Sequence, residues 1–233
     1  MLPPVCILAG GLGTRLGEIG RSTPKALIEV ANEPFLVHQI RLLATYGVER
    51  VVLCVGHLGE QIEERIGRSR EGVAISYSYD SADLDGTLGA IRRARVHLGE
   101  QFLVMYGDTY LEINYADFAR SWLASNKRAG MCILFNDNQW DRSNVNFQDD
   151  KIIAYDKFAP TEEMSWIDFG LGALKATALD VVSPAITDLA ELYHRLSRSG
   201  ELYGYEATER FHEIGTPESL AETDRYLRAK LSQ

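Results

Sequence analysis

Five short apolar runs alternating with helical patterns constrain this chain more than any other feature. Val5 to Leu8, Val51 to Val55, Val73 to Tyr77, Phe102 to Tyr106 and Met131 to Phe135 show little polar alternation, the pattern of strands buried on both faces. Between them, apolar residues recur at helical spacing: Leu36, Ile40 and Leu43; Leu58, Ile62 and Ile66; Leu88, Ile91 and Leu98; Phe118 with Trp122. This order predicts an α/β fold, a mostly parallel Rossmann-like mixed sheet with helices on both faces. In such sheets ligands bind beyond the carboxyl ends of the strands. After residue 136 the rhythm changes. Strands are expected at Asn144 to Gln148, Lys151 to Tyr155 and Ile167 to Leu174, forming a small antiparallel addition. A helix is expected over Pro184 to Ser197, and a last one after Thr216-Pro217, which reads as an N-cap with proline in the first turn.

A length of 233 residues fits one domain. With 45% hydrophobic and 24% charged residues, an ordinary core suffices, and disordered or collagenous classes are excluded. Lys+Arg 24 against Asp+Glu 33 leaves a net charge of −9, a poor footprint for neutralising the phosphates of a nucleic acid. A small anionic substrate therefore needs a local positive site. The expectation is no nucleic-acid partner, no membrane span, no signal peptide and a cytoplasmic location. Cys6, Cys54 and Cys132 lie in apolar runs rather than at metal-ligand spacing, and read as buried thiols.

At the end of the first strand stands Leu8-Ala9-Gly10-Gly11-Leu12-Gly13-Thr14-Arg15-Leu16. Three glycines in four positions let backbone N–H groups converge on an anion without Cβ obstruction. The dinucleotide fingerprint GxGxxG fails, because its third glycine would fall on Leu16, and GxxxxGK[ST] is absent. Arg15 offers a planar fork for phosphate oxygens, and Lys25, after Pro24, adds a point charge. On the glycines alone, a plain strand-to-helix turn with two solvated cations explains the sequence as well.

LAGGLGTRL followed by TPKAL closely resembles the signature of the sugar-1-phosphate nucleotidyltransferases. The resemblance implies that the loop from Leu8 and Ala9 through Gly10, Gly11, Gly13 and Thr14 binds a nucleoside triphosphate. It also implies that Arg15 contacts the outer phosphates and Lys25 the transferring phosphate. Asp108 ends the strand FLVMY at the edge that carries the glycine loop. A Gly-Asp pair there is commonly a turn, but a triphosphate calls for a Mg²⁺ held by one or two carboxylates. The family carries a metal-binding aspartate at this position. Its second metal ligand, usually aspartate in a DIGTP-like motif, matches Glu213 in Phe211-His212-Glu213-Ile214-Gly215-Thr216-Pro217, one methylene longer. Whether Glu213 binds Mg²⁺ directly or through water is left open; otherwise it serves the dipole of the helix that follows.

Asp85-Gly86-Thr87-Leu88-Gly89-Ala90 resembles the family segment where glycine lets the base approach the backbone, with Thr87 at least an N-cap. Asp80 aligns with a position that contacts the base edge. A carboxylate only accepts, and guanine presents two adjacent donors, so GTP is favoured, with uridylyl, thymidylyl and cytidylyl transfer open. The resemblance places Asp156 and Lys157 at the family's Glu-Lys pair, in which the lysine contacts the phosphate of the incoming sugar phosphate, with aspartate here in place of glutamate. It sets Asp168 and Gly170 beside sugar hydroxyls, with Asn144 as a further candidate. The expected activity is nucleotidyl transfer to a sugar 1-phosphate, with heptose or mannose 1-phosphate as acceptor. Residues 1–135 would serve mainly the nucleotide and 136–233 mainly the sugar phosphate. A homodimer stays open, as does a non-catalytic nucleotide-sugar sensor.

Overall fold

The computed structural model describes residues 2–11, 13, 16, 22–81 and 86–232. In chain order the strands are β1 (Val5–Leu8), β2 (Glu29–Val30), β3 (Glu33–Pro34), β4 (Arg50–Val55), β5 (Ser69–Arg70), β6 (Val73–Tyr79) and β7 (Gln101–Tyr106). They continue as β8 (Thr109–Tyr110), β9 (Ala129–Phe135), β10 (Val145–Gln148), β11 (Lys151–Tyr155), β12 (Trp166–Lys175), β13 (Leu202–Ala207) and β14 (His212–Glu213). The described helices are α1 (Phe35–Thr45), α2 (Gly59–Ile66), α3 (Gly86–Leu98), α4 (Tyr115–Ser125), α5 (Leu189–Arg198) and α6 (Pro217–Leu231).

The main sheet runs β11-β10-β12-β7-β1-β4-β6-β5. Strands β7, β1, β4 and β6 are mutually parallel and form its centre. Side chains alternate between faces along each strand. Val5 and Ile7 join Leu36, Ile40, Leu53 and Trp122 on one face, while Cys6 joins Val52, Leu88, Ile91 and Phe102 on the other. Both faces are covered by helices, as the unbroken apolar runs require. All three cysteines are free and buried. Among the described residues no helix is long and apolar enough to cross a membrane.

The second half departs from the expected pattern in three ways. Strand β9 pairs antiparallel with β12 rather than extending the parallel set. Its parallel partner is β13, which the sequence reading omitted because LYGYEA carries two tyrosines and a glycine instead of an aliphatic run. The helix expected from Pro184 begins only at Leu189, where the Asp188 side chain accepts from Ala190 N. Residues 184–187 are instead spent on tertiary bonds: Thr187 O accepts from Leu88 N at 2.7 Å and Ile186 O from Arg92 at 2.6 Å.

The C-terminal segment returns to the sheet edge that carries the glycine loop. Thr216 and Ser219 form a reciprocal capping box with Pro217 in the first turn of α6, worth about 1 kcal/mol to the helix start. Helix α6 packs through Leu227 on a small cluster with Val30, Phe35, Tyr110 and Ile214. That packing holds β14 antiparallel to β8, with Glu213 opposite Thr109.

Candidate active site

A cavity of about 320 Å³ opens beyond the carboxyl ends of the central strands. Its walls come from four sheet ends: Leu8 to Gly11 after β1, Cys54 on β4, Asp80 after β6, and Tyr106 to Asp108 after β7. Two cross-strand bonds fix the loop after β1, Ala9 N to Cys54 O at 2.8 Å and Gly107 N to Leu8 O at 3.0 Å. Gly10 is required by close approach. A Cβ there would lie 2.9 Å from Asp80 Oδ2 and 3.2 Å from Gly56 N. The glycine loop thus packs its backbone directly against the Asp80 carboxylate, and both line the cavity. Gly13 has φ +61°. Thr14 and Arg15 lie outside the described residues.

Lys25 opens a 3-10 turn behind Pro24. Its Nζ stands 2.6 Å from Asp108 Oδ2, with side-chain exposures of 12% and 30%. The partial burial reduces the solvent screening between the two charges relative to a surface salt bridge. Asp108 Oδ1 accepts from Thr109 Oγ1 at 3.1 Å, and Asp108 O accepts from Ile214 N at 3.0 Å. The carboxylate therefore sits on a turn tied to β14, and Glu213 is the residue next to the tie. Thr223 Oγ1 in α6 donates to Glu213 O at 2.6 Å, so the terminal helix braces the segment. The Glu213 carboxylate lies over Gly215, whose added Cβ would be 3.4 Å from both of its oxygens. His212 stacks on Tyr226 at 3.7 Å, a packing role.

Gly86 and Thr87 line the cavity. Gly86 has φ +66°, and a Cβ on it would come 2.7 Å from Thr187 O. The expectation that Thr87 caps its own helix is corrected: it lies inside α3. Its hydroxyl serves another helix, accepting from Leu189 N at 2.8 Å and donating to Asp188 Oδ1 at 3.3 Å. The chain thereby staples the start of α3 to the start of α5.

The expected sugar-phosphate residues divide. Asn144 Oδ1 accepts from Asp168 N, and Asp168 Oδ1 accepts from Gly170 N, each at 2.9 Å. Gly170 faces Thr109 and Tyr106 at the edge of the cavity. Burial raises the Asp168 carboxyl to about 6, against smaller opposing effects of the Gly170 N–H and the Lys157 charge. Tyr106, Tyr155 and Tyr193 all feel the Asp168 charge. Asp156 turns elsewhere. Its carboxylate accepts from Phe158 N and Ala159 N and lies 3.5 Å from His194, so the structure does not bring it to the cavity. Trp140 stacks under Arg210, and Trp166 packs on Phe135 and Phe147; neither lines the cavity.

Sequence reasoning passed over Tyr106, which lines the cavity, and Gln39, buried beneath it. The signal for Gln39 was present: His38-Gln39 is a polar pair inside the apolar stripe of α1.

The Asp108 carboxylate, on the turn between β7 and β8, suits a hard divalent ion that takes oxygen ligands and completes its shell with phosphate oxygens. Among the described residues no group of three His, Cys, Asp or Glu converges; Asp108 lines the cavity, whereas Glu213, on β14, is not part of the lining.

The chain is 27% identical over 221 residues to the mannose-1-phosphate guanylyltransferase catalytic subunit beta of Drosophila melanogaster, an alignment covering 92% of this chain and 60% of that protein. It thus spans about 60% of the length of that relative. It is 39% identical over 107 residues, 46% of this chain and 17% of the other, to a CMP-5'-(3-aminopropyl)phosphonate synthase of Streptomyces rubellomurinus. The structure of HddC from Yersinia pseudotuberculosis complexed with GMP-PN superposes with a TM-score of 0.81 at 23% identity, covering 97% of this chain and 100% of that one. That likeness places the chain in the nucleotide-diphospho-sugar transferase fold. A family model described as the MobA-like NTP transferase domain matches residues 5–198, and the chain belongs to that family.

Proposed function

We propose that the chain transfers a nucleotidyl group from a nucleoside triphosphate to a sugar 1-phosphate, with GTP and mannose or heptose 1-phosphate as the preferred pair. The observation that carries this reading is the Lys25–Asp108 ion pair at the wall of a glycine-lined cavity. It sets a cation for phosphate beside a carboxylate for metal. An acceptor phosphate oxygen attacks the α-phosphorus, the bond from that phosphorus to the bridging oxygen of the β-phosphate breaks, and pyrophosphate leaves. Loop amides at Gly10, Gly11 and Gly13 hold the triphosphate. Lys25 and Arg15 balance charge on the transferring and departing phosphates. Asp108, with Glu213, would hold Mg²⁺, which supplies neutralisation of the triphosphate. Lys157 and Asp168 orient the acceptor. No side-chain nucleophile is needed, so catalysis is positioning and charge balance.

The guanylyltransferase relative supports GTP, and so does the Asp80 carboxylate in the cavity wall. Asp80→Asn is expected to reduce kcat/KM for GTP about 10-fold or more, as for loss of a charge-assisted hydrogen bond, and to reduce UTP use less. Equal loss with both nucleotides would remove the guanine argument. The phosphonate synthase relative favours a second reading, cytidylyl transfer to a phosphonate. Pyrophosphate release decides between them. The purified protein with Mg²⁺ is offered GTP, CTP, UTP and dTTP against mannose 1-phosphate, heptose 1-phosphate and an aminoalkylphosphonate. Release with a sugar 1-phosphate supports the proposal; release only with CTP and the phosphonate supports the second reading; binding without release across the panel contradicts both.

A further inference from the structure

Gln39 lies on the inner face of α1, fully buried. Its amide donates to two carbonyls, Tyr106 O at 2.9 Å and Thr109 O at 2.8 Å. These carbonyls bracket Gly107 and Asp108, so one side chain clamps both ends of the turn that presents the Asp108 carboxylate. The amide oxygen has no hydrogen-bond partner among the described residues. Burying a primary amide with one group unsatisfied is unfavourable, and a leucine would fill a similar volume without that cost. Core stability alone does not account for a glutamine here.

Its neighbour does the matching job on the other side. His38 Nε2 donates to Val30 O at 2.7 Å, in the hairpin that follows the Lys25 turn. Adjacent residues of a single helix thus hold the segments that bring Lys25 and Asp108 to 2.6 Å from each other. From this geometry we infer that Gln39 is a positioning residue: it fixes the Asp108 turn at the place where a divalent ion must meet the triphosphate. The inference rests on the reading of the site as a metal-assisted nucleotidyltransferase.

The test compares wild type, Gln39→Leu, Gln39→Met and a core control, Trp122→Phe, at matched thermal stability. Mn²⁺ binding is followed by the electron paramagnetic resonance signal of the free ion, alongside steady-state pyrophosphate release. In both Gln39 variants the Mn²⁺ dissociation constant is expected to rise about 10-fold, as when a residue that orients a metal ligand is removed. kcat is expected to fall up to about 100-fold, the cost of misplacing a reacting group by about an ångström, with KM for GTP changed by less than about threefold. Near-normal Mn²⁺ affinity in a folded Gln39 variant would overturn the inference. So would equal losses in the Trp122 control, or failure of both Gln39 variants to fold. If the wild type releases no pyrophosphate yet the Mn²⁺ affinities separate as stated, the positioning role stands and the functional reading falls.

Discussion

Asp108→Asn should yield a folded protein whose turnover is at least about 10³-fold lower, since metal-assisted charge neutralisation contributes several kcal/mol to such a step. The fold should persist because the bonds that shape the turn survive. Ile214 N donates to the backbone carbonyl of residue 108, and an amide oxygen can still accept from Thr109 Oγ1. What is lost is the negative charge that faces Lys25 at 2.6 Å and that would hold the divalent ion. Lys25→Ala should be comparably inactive for the opposite reason, leaving the carboxylate without its cation. Pyrophosphate release with a circular-dichroism melt on each variant checks both. Turnover within about tenfold of wild type in either folded variant would contradict the role assignment.

The second large effect concerns stability. The folded chain holds the Asp168 carboxyl at about 6 where an exposed aspartate titrates near 3.8. Between these values the folded state binds more protons than the unfolded one, so stability falls as pH rises through this window. Above about pH 6 the penalty is fully present; below about pH 4 it vanishes. A shift of this size corresponds to about 1 to 3 kcal/mol, the lower figure allowing for screening at a partly accessible group. Asp168→Asn removes the charge and keeps an acceptor for Gly170 N. It should raise the melting temperature by roughly 5 °C at about pH 8 and by much less at about pH 4. If Asp168 holds the acceptor, the same substitution should raise the KM for sugar 1-phosphate, a stability gain made at the expense of function. Equal melting temperatures at about pH 8 would contradict the burial argument.

The features legible in the sequence were those encoded locally. Apolar runs without alternation marked β1, β4 and β7, and Thr216-Pro217 marked the start of α6, because strand burial and helix capping are written in neighbouring residues. What escaped was set by tertiary partners. Strand β13 carries Tyr203, Gly204 and Tyr205, and it becomes a strand because β9 offers a free edge. Residues 184–187 fit a helical pattern but lose to Leu88 N and the Arg92 guanidinium, which occupy carbonyls a helix would have used. Thr87 has the chemistry of a cap and is one, for a helix about a hundred residues away in sequence. In the site, the motif residues Lys25 and Asp108 met as their types suggest. Gln39 was missed because a buried polar residue in an apolar stripe reads as an exception until its two carbonyl partners are seen.

The most direct test of the account is a crystal structure of the protein with Mg²⁺ and a non-hydrolysable GTP analogue. The triphosphate should lie against the amides of Gly10, Gly11 and Gly13, with Lys25 on the α-phosphate and the ion between the Asp108 carboxylate and phosphate oxygens. A triphosphate bound outside this cavity, or an ion coordinated without Asp108, would contradict it.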